Sequence, residues 1–128
     1  MTQVSAAKQY EVPAEKMWGR IGDPGALATW HPGVEATELV DGGRTRINTV
    51  PGGARLVEPI LEHADHRYTY RIADSPLPLR DFVSTIQVRG DGGACVVRWD
   101  ATFEASGVSE TNATEIVRGV FLSGLDAL

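Results

Sequence analysis

A strand near the C-terminal third of the chain is predicted by strict alternation of apolar and polar residues. Its apolar positions are Cys95, Val97, Trp99, Ala101 and Phe103, and its polar positions are Arg98, Asp100, Thr102 and Glu104. The same period of two gives shared faces to Tyr68, Tyr70 and Ile72, and to Phe82, Ile86 and Val88. Each of these strands is therefore expected to bury one face and to expose the other to solvent.

Turn residues divide the chain from Val34 to Phe103 into short strands. The signals are Asp41-Gly42-Gly43, Pro51-Gly52-Gly53, His63-Ala64-Asp65, Ser75-Pro76-Leu77-Pro78 and Gly90-Asp91-Gly92-Gly93. This spacing predicts an antiparallel meander. The glycine-rich turns join strand to strand, whereas phosphate-binding loops lead from a strand into a helix, so we interpret them as hairpin turns.

Helices are predicted on both sides of the meander. A first strand over Val4–Val12 stops at Pro13, which opens a short helix, and Asp23 can cap a second one that reaches Trp30. Ser109 can cap a helix that reaches about Leu125 and carries Ala113, Ile116, Val117, Val120 and Phe121 at helical spacing. Gly119 and Gly124 interrupt that helix, which is tolerable where its axis approaches a sheet or a cavity closely.

Length and charge narrow the class of protein. The 128 residues fit one domain over residues 1–128, and 42% of them are apolar. Lys and Arg number 12 against 17 Asp and Glu, which gives a net charge of −5. Because the basic residues are dispersed among acidic ones, nucleic acid is not expected as a partner.

The sequence carries no signal of a disulfide, a metal site or a membrane segment. Cys95 is the only cysteine, and His31, His63 and His66 have no metal-binding spacing, so neither a disulfide within the chain nor a metal site is expected. The segment Met1–Tyr10 lacks the pattern of a signal peptide, and no run of residues is apolar enough to cross a bilayer. We therefore expect a cytoplasmic protein without membrane insertion.

Several segments together resemble a known family. They are Val12-Pro13-Ala14-Glu15-Lys16-Met17-Trp18, Trp30-His31-Pro32, the stretch from Glu58 to Tyr70, Ser75-Pro76-Leu77-Pro78, Arg98-Trp99 and Gly124-Leu125-Asp126-Ala127-Leu128. This set resembles the SRPBCC superfamily, whose START-like or helix-grip fold is α+β, and within it the bacterial polyketide cyclase/dehydrase and lipid-transport-like branch. The resemblance implies a curved antiparallel sheet of about seven strands around a long C-terminal helix, with two short helices after the first strand.

The resemblance also implies a function. Its members enclose polyketides, terpenoids, lipids or similar apolar molecules between helix and sheet, and some cyclise or dehydrate them without a cofactor. Relatives often continue the last helix further, so a shorter or more open pocket is expected here. We expect a monomer or a homodimer with a small apolar ligand or substrate. Fold does not determine function, so the site has to be argued from its residues.

His31 is the first candidate for chemistry, because the resemblance places Trp30-His31-Pro32 beside the cavity mouth. An imidazole can accept and return a proton near neutral pH, as enolisation or dehydration requires. The alternative is structural: His31 braces the turn before Pro32.

Glu58 is the second candidate, and two directions are open for its side chain. If the face that it shares with Leu56 and Ile60 is the inner one, burial raises the pKa of its carboxyl and makes it a plausible acid or base. The opposite face is equally apolar. In that case Glu58 points to water or pairs with an arginine such as Arg46 or Arg71.

Aromatic and small polar residues complete the expected pocket. Tyr70 can hold an enolate oxygen through its hydroxyl group. The expected ligand-binding residues are Trp30, Asn48, Tyr68, Phe82, Ser84, Trp99 and Phe121. Two functions remain open, a lyase or isomerase that cyclises or dehydrates its ligand and a carrier or sensor that leaves its ligand unchanged. A partner-binding module is a weaker third reading.

Overall fold

The computed structural model describes all 128 residues and arranges them as one seven-stranded sheet with two α-helices. The α-helices are α1 (Ala14–Ile21) and α2 (Glu110–Asp126), and short 3-10 helices span Pro24–Thr29 and Asp41–Gly43. The strands are β1 (Thr2–Tyr10), β2 (Ala36–Val40), β3 (Thr45–Thr49), β4 (Arg55–Ala64), β5 (Arg67–Arg71), β6 (Leu79–Asp91) and β7 (Ala94–Ala105). No helix is both long and apolar enough to cross a membrane.

The sheet is antiparallel throughout, in the order β1-β7-β6-β5-β4-β3-β2. Apart from β1, which returns to pair with β7, each strand pairs with its neighbour in the chain, so the predicted meander is confirmed. The first strand begins and ends two residues earlier than predicted. Its exposed and half-buried residues at the sheet edge carry only a weak alternation, which leaves its ends poorly marked in the sequence.

Capping residues determine where the helices begin. The Asp23 side chain accepts a hydrogen bond from the Gly25 backbone amide at 2.8 Å, and Ser109 accepts one from the Asn112 amide at 3.1 Å. Both predicted caps are therefore confirmed. The second short helix is a 3-10 helix that ends at Thr29, one residue before the predicted end.

Helix α2 covers only part of the concave face of the sheet. It packs on β1 and β7 and buries Ala113, Val117, Phe121 and Leu125. The predicted inward face of β7 is confirmed, since all five of its apolar side chains are buried. Strands β3, β4 and β5 curve round at a distance from the helix, and this leaves space between the helix and the far half of the sheet.

Candidate functional site

A cavity of about 490 Å³ fills the space between α2 and the far half of the sheet. Its helical wall includes Ile116, Gly119 and Val120, and its sheet wall includes Glu58, Tyr70, Phe82 and Trp99. Loop residues, among them Val34 and Leu77, close its sides. A volume of this size, lined mainly by apolar side chains with a few polar groups, is typical of small-molecule sites.

Glu58 places a carboxylate in this apolar wall. It is 4% exposed, and its Oε1 atom accepts hydrogen bonds from Arg46 Nε at 2.8 Å and from Asn48 Nδ2 at 3.0 Å. Its Oε2 atom has no hydrogen-bond partner in the protein and is not among the fully enclosed polar atoms. Since Glu58 lines the cavity, this second oxygen is open to a ligand.

Arg46 holds the carboxylate from behind. Its side chain is fully buried, and its Nη2 atom lies in ionic contact with Glu58 Oε1 at 2.7 Å without hydrogen-bond geometry. Its Nη1 atom donates to the Tyr68 hydroxyl at 3.0 Å and to the Pro24 carbonyl at 3.2 Å. The guanidinium also lies 4.5 Å from the centre of the Tyr70 ring, so both charge and ring contacts fix its position.

Of the two directions open for Glu58, the structure has the inward one, and the side chain does not point to water. The pairing with Arg46, expected for the outward direction, occurs inside the wall because Arg46 is buried as well. Burial raises the pKa of the Glu58 carboxyl above its usual value, while the Arg46 charge and the donors from Arg46 and Asn48 oppose the rise. A carboxyl with a raised pKa exchanges protons more readily near neutral pH than a surface carboxyl does.

Tyr70 provides a hydroxyl group on the neighbouring strand. This hydroxyl accepts a hydrogen bond from Trp99 Nε1 at 3.2 Å, and Tyr70 lines the cavity, so its own O–H group can donate a hydrogen bond to a ligand oxygen. Burial, followed by the nearby Glu58 charge, raises the pKa of Tyr70 well above its ordinary value. Tyr70 therefore remains protonated and can act as a hydrogen-bond donor.

His31 connects the loop after the 3-10 helix to α2. Its Nε2 atom lies 2.8 Å from the Val120 carbonyl, and its Nδ1 atom lies 3.0 Å from the Gly33 backbone amide. A carbonyl can only accept and an amide can only donate, so the neutral ring carries its proton on Nε2. Both nitrogens are thus occupied by backbone partners, although the ring edge lines the cavity.

The burial of His31 makes stability depend on pH. Burial lowers the pKa of the ring below 6.5, with the Arg46 charge acting in the same direction and the Val120 hydrogen bond opposing it. The unfolded chain then binds a proton more readily than the folded chain does. The contribution of His31 is therefore complete above about pH 6.5 and is lost as the pH falls through its folded pKa.

We expect His31→Gln to flatten this dependence. In the parent protein the free energy of unfolding should fall by up to about 1.4 kcal/mol per pH unit below about pH 6.5 because of His31. Urea unfolding at a series of pH values measures the slope. His63→Gln, made on the exposed part of β4, is the matched control for loss of an imidazole. A His31→Gln protein that retains the parent slope would contradict the assignment.

The structure brings most of the residues proposed from sequence to the cavity. His31, Asn48, Glu58, Tyr70, Phe82, Trp99 and Phe121 line it. Three others support the wall from behind: Tyr68 holds Arg46, Ser84 accepts from Trp99 Nε1 at 3.1 Å, and Trp30 packs 5.7 Å from Trp99 between ring centres. Trp99 itself stacks on Phe121 at 4.6 Å and so joins the sheet to α2.

Arg46 is the most important site residue that the sequence alone does not identify. The sequence indicates it only as one possible partner for an outward-facing Glu58. The signal that would have found it is the predicted turn Pro51-Gly52-Gly53, because Arg46 and Glu58 are equidistant from Gly52 and pair directly across β3 and β4. Glu115 and Gly119, on the helical wall, were likewise not predicted to line the cavity.

No group of three or more His, Cys, Asp or Glu side chains is close enough together to hold a metal ion.

This architecture is shared with solved structures of other proteins. The chain is similar to the protein XoxI from Bacillus cereus, with 30% identity, a TM-score of 0.97 and coverage of 99% of this chain and 92% of the other. It is also similar to a START superfamily protein from Mycobacterium smegmatis (12% identity, TM-score 0.82, coverage 98% and 92%). Norcoclaurine synthase from Thalictrum flavum has the same fold at 18% identity (TM-score 0.70, coverage 98% and 83%). No curated protein sequence gives a significant match.

A curved antiparallel sheet that wraps around one long helix, with a cavity between them, is the START-like or helix-grip fold. More narrowly, the chain belongs to the polyketide cyclase/dehydrase and lipid transport family, whose pattern matches residues 1–128. The family and the cavity together assign ligand binding in general to this protein.

Proposed function

We propose that this protein binds an apolar carbonyl compound of the polyketide or terpenoid type and catalyses its cyclisation or dehydration by acid/base chemistry. One observation carries the proposal. The wall of an otherwise apolar cavity holds a buried carboxylate, Glu58, whose Oε1 atom is saturated by Arg46 and Asn48 and whose Oε2 atom is free. The hydrogen bonds to Oε1 fix the orientation of the carboxylate, and Oε2 is left to interact with a ligand.

The proposed dehydration uses two side chains. Glu58 Oε2 takes a proton from the carbon next to the ligand carbonyl, and the Tyr70 hydroxyl donates to the oxygen on which negative charge develops. Glu58 then returns that proton to a hydroxyl group on the adjacent carbon, which leaves as water. In a cyclisation, the enolate carbon attacks a second carbonyl of the same ligand and the proton goes to the new alkoxide. Neither route requires a cofactor.

His31 has a positioning role in this proposal rather than a chemical one. Its two ring nitrogens are engaged by Val120 and Gly33, so proton transfer to a ligand would first break one of these hydrogen bonds. Tyr68, Ser84 and Trp30 support the same wall through Arg46 and Trp99. Asn48, Phe82, Trp99 and Phe121 are proposed to contact the ligand directly.

The test is incubation of the purified protein with hydroxylated polyketide and terpenoid ketones, followed by mass spectrometry. Loss of water, or an isomer of equal mass with a new retention time, is expected. Glu58→Gln should lower kcat/KM by roughly a hundredfold, the effect typical of a general acid or base. Glu62→Gln is the matched control, because it makes the same change on the same strand at an exposed position paired with Arg67.

Two further variants keep the test informative if Glu58→Gln folds poorly. Tyr70→Phe leaves Trp99 Nε1 with Ser84 as its acceptor and should slow turnover while the fold is retained. A combined Arg46→Met and Glu58→Gln variant removes the carboxylate together with its cation, so that no unpaired charge remains buried. Full activity in either of these proteins would overturn the assigned chemistry.

A non-catalytic carrier or sensor is the second candidate, and two observations favour it. The Arg46 charge compensates that of Glu58, and His31 has no free nitrogen, so the cavity has few groups for proton transfer. Recovery of every bound compound unaltered after long incubation would select this function over catalysis. Native mass spectrometry of the protein as purified would then identify the cargo.

A further inference from the structure

The charged residues that line the cavity are both acidic. They are Glu58 on the sheet wall and Glu115 on α2, and neither lysine nor arginine is in the lining. Arg46 is the nearest cation, but it lies behind Glu58 with a fully buried side chain and directs its donors to Glu58, Tyr68 and Pro24. A ligand in the cavity therefore meets a free carboxylate oxygen and no free cation.

The open oxygen is held rigidly in place. Glu58 Oε1 accepts from Asn48 Nδ2, Asn48 Oδ1 accepts from the Thr37 hydroxyl at 2.8 Å, and Thr37 accepts from the Ala28 backbone amide at 3.1 Å. This chain of hydrogen bonds connects β4, β3 and β2 to the 3-10 helix Pro24–Thr29. Because the acceptor does not have to be ordered when a ligand arrives, a hydrogen bond to it loses little to entropy.

We propose that the cavity selects apolar ligands that present a hydroxyl group to Glu58 Oε2 and rejects ligands whose polar end is a carboxylate. A neutral hydroxyl donates a charge-assisted hydrogen bond to this oxygen. A carboxylate, as in a fatty acid, would bring a second negative charge beside Glu58 without a cation to compensate it, and taking such a charge out of water is costly. The selectivity rests on ligand binding in this cavity, as the proposed function does, but not on any chemical step.

Three probes that differ in one group test the selectivity. They are naphthol, its methyl ether and naphthoate, all substituted at the same ring position, titrated calorimetrically at about pH 7.5, where naphthol is neutral and naphthoate is ionised. Naphthol is expected to bind roughly tenfold more tightly than the ether, which cannot donate, and naphthoate is expected to bind more weakly than either.

Two variants test whether Glu58 is the group that causes the preference for naphthol. In the combined Arg46→Met and Glu58→Gln protein, in which no buried charge is left unpaired, the preference for naphthol over the ether should shrink and naphthoate should gain affinity. Glu115→Gln, at the exposed end of the lining, is the matched control for removal of a carboxylate and should leave the naphthol-to-ether ratio close to that of the parent.

The outcomes separate this inference from the proposed function. Equal affinities for naphthol and its ether, or naphthoate as the tightest probe, would overturn the selectivity and leave catalysis open. Naphthol preference without turnover of any hydroxyketone would support the selectivity and count against catalysis. If none of the three probes binds, the selectivity is overturned, and the proposed function is decided by turnover of the hydroxyketones alone.

Discussion

Arg46→Met is expected to lower the free energy of unfolding by about 3–5 kcal/mol, the usual cost of removing one partner of a buried ion pair. The substitution keeps much of the side-chain volume but removes the donors to Glu58, Tyr68 and the Pro24 carbonyl. Glu58 then remains buried with Asn48 as its only donor. Urea unfolding followed by circular dichroism measures the loss.

The Arg46–Glu58 pair is expected to stabilise the fold because each charge compensates the other inside the protein. The pair as a whole is not expected to be more stable than two uncharged side chains of similar size. Replacing both members of a buried ion pair by uncharged groups is often neutral or stabilising. The combined Arg46→Met and Glu58→Met protein should therefore recover most of the stability lost by Arg46→Met alone. If the double variant is as unstable as the single one, packing around Arg46, including its contact with the Tyr70 ring, is the dominant contribution.

The free energy of unfolding that Arg46→Met loses relative to the parent protein should also depend on pH, in a defined direction. Without the neighbouring cation, burial raises the pKa of Glu58 further above its unfolded value. A group with a raised folded pKa contributes stability fully at a pH below its unfolded pKa and loses it as the pH rises through the folded pKa. The difference between Arg46→Met and the parent should accordingly be smaller at about pH 4 than at about pH 7.

The fold could be predicted because its signals are local and repeated. Four of the five hairpins between β2 and β7 have glycine or proline in the turn, and the alternation in β7 identifies which side chains face the core. The turn between β4 and β5 is Asp65-His66, in which His66 takes a positive φ. The caps Asp23 and Ser109 satisfy backbone amides within three residues of themselves, so their sequence signals do not depend on the rest of the fold.

The site could be predicted only in part, because its geometry depends on long-range pairing. A register error of one residue turns every side chain of a strand to the other face, and nothing in the sequence of β4 alone distinguishes the face of Glu58 from that of Val57. The pairing of Arg46 with Glu58 across the hairpin resolves this question. His31 illustrates the same limit, since its partner carbonyl at Val120 is 89 residues away in the chain.

The two glycines of α2 have the same signature in the sequence, but they have opposite roles in the structure. A Cβ atom placed at Gly124 would lie 2.6 Å from His31 Cδ2 and 2.9 Å from Trp99 Cζ3, closer than such atoms can approach. At Gly119, which lines the cavity, a Cβ atom would meet nothing within 4 Å. Gly124 therefore allows the helix to approach the His31 and Trp99 rings, whereas Gly119 leaves room for a ligand.

Substitution by alanine should separate these roles. Gly124→Ala is expected to destabilise the protein by about 2–3 kcal/mol, because both clashing groups are rigid rings and displacement of His31 also strains its hydrogen bond to Val120. Gly119→Ala, the matched control in the same helix, should stabilise it by up to about 1 kcal/mol through helix propensity. Urea unfolding measures both changes. Equal effects at the two positions would show that helix propensity alone decides them, and that close contact with His31 and Trp99 is not the reason for glycine at position 124.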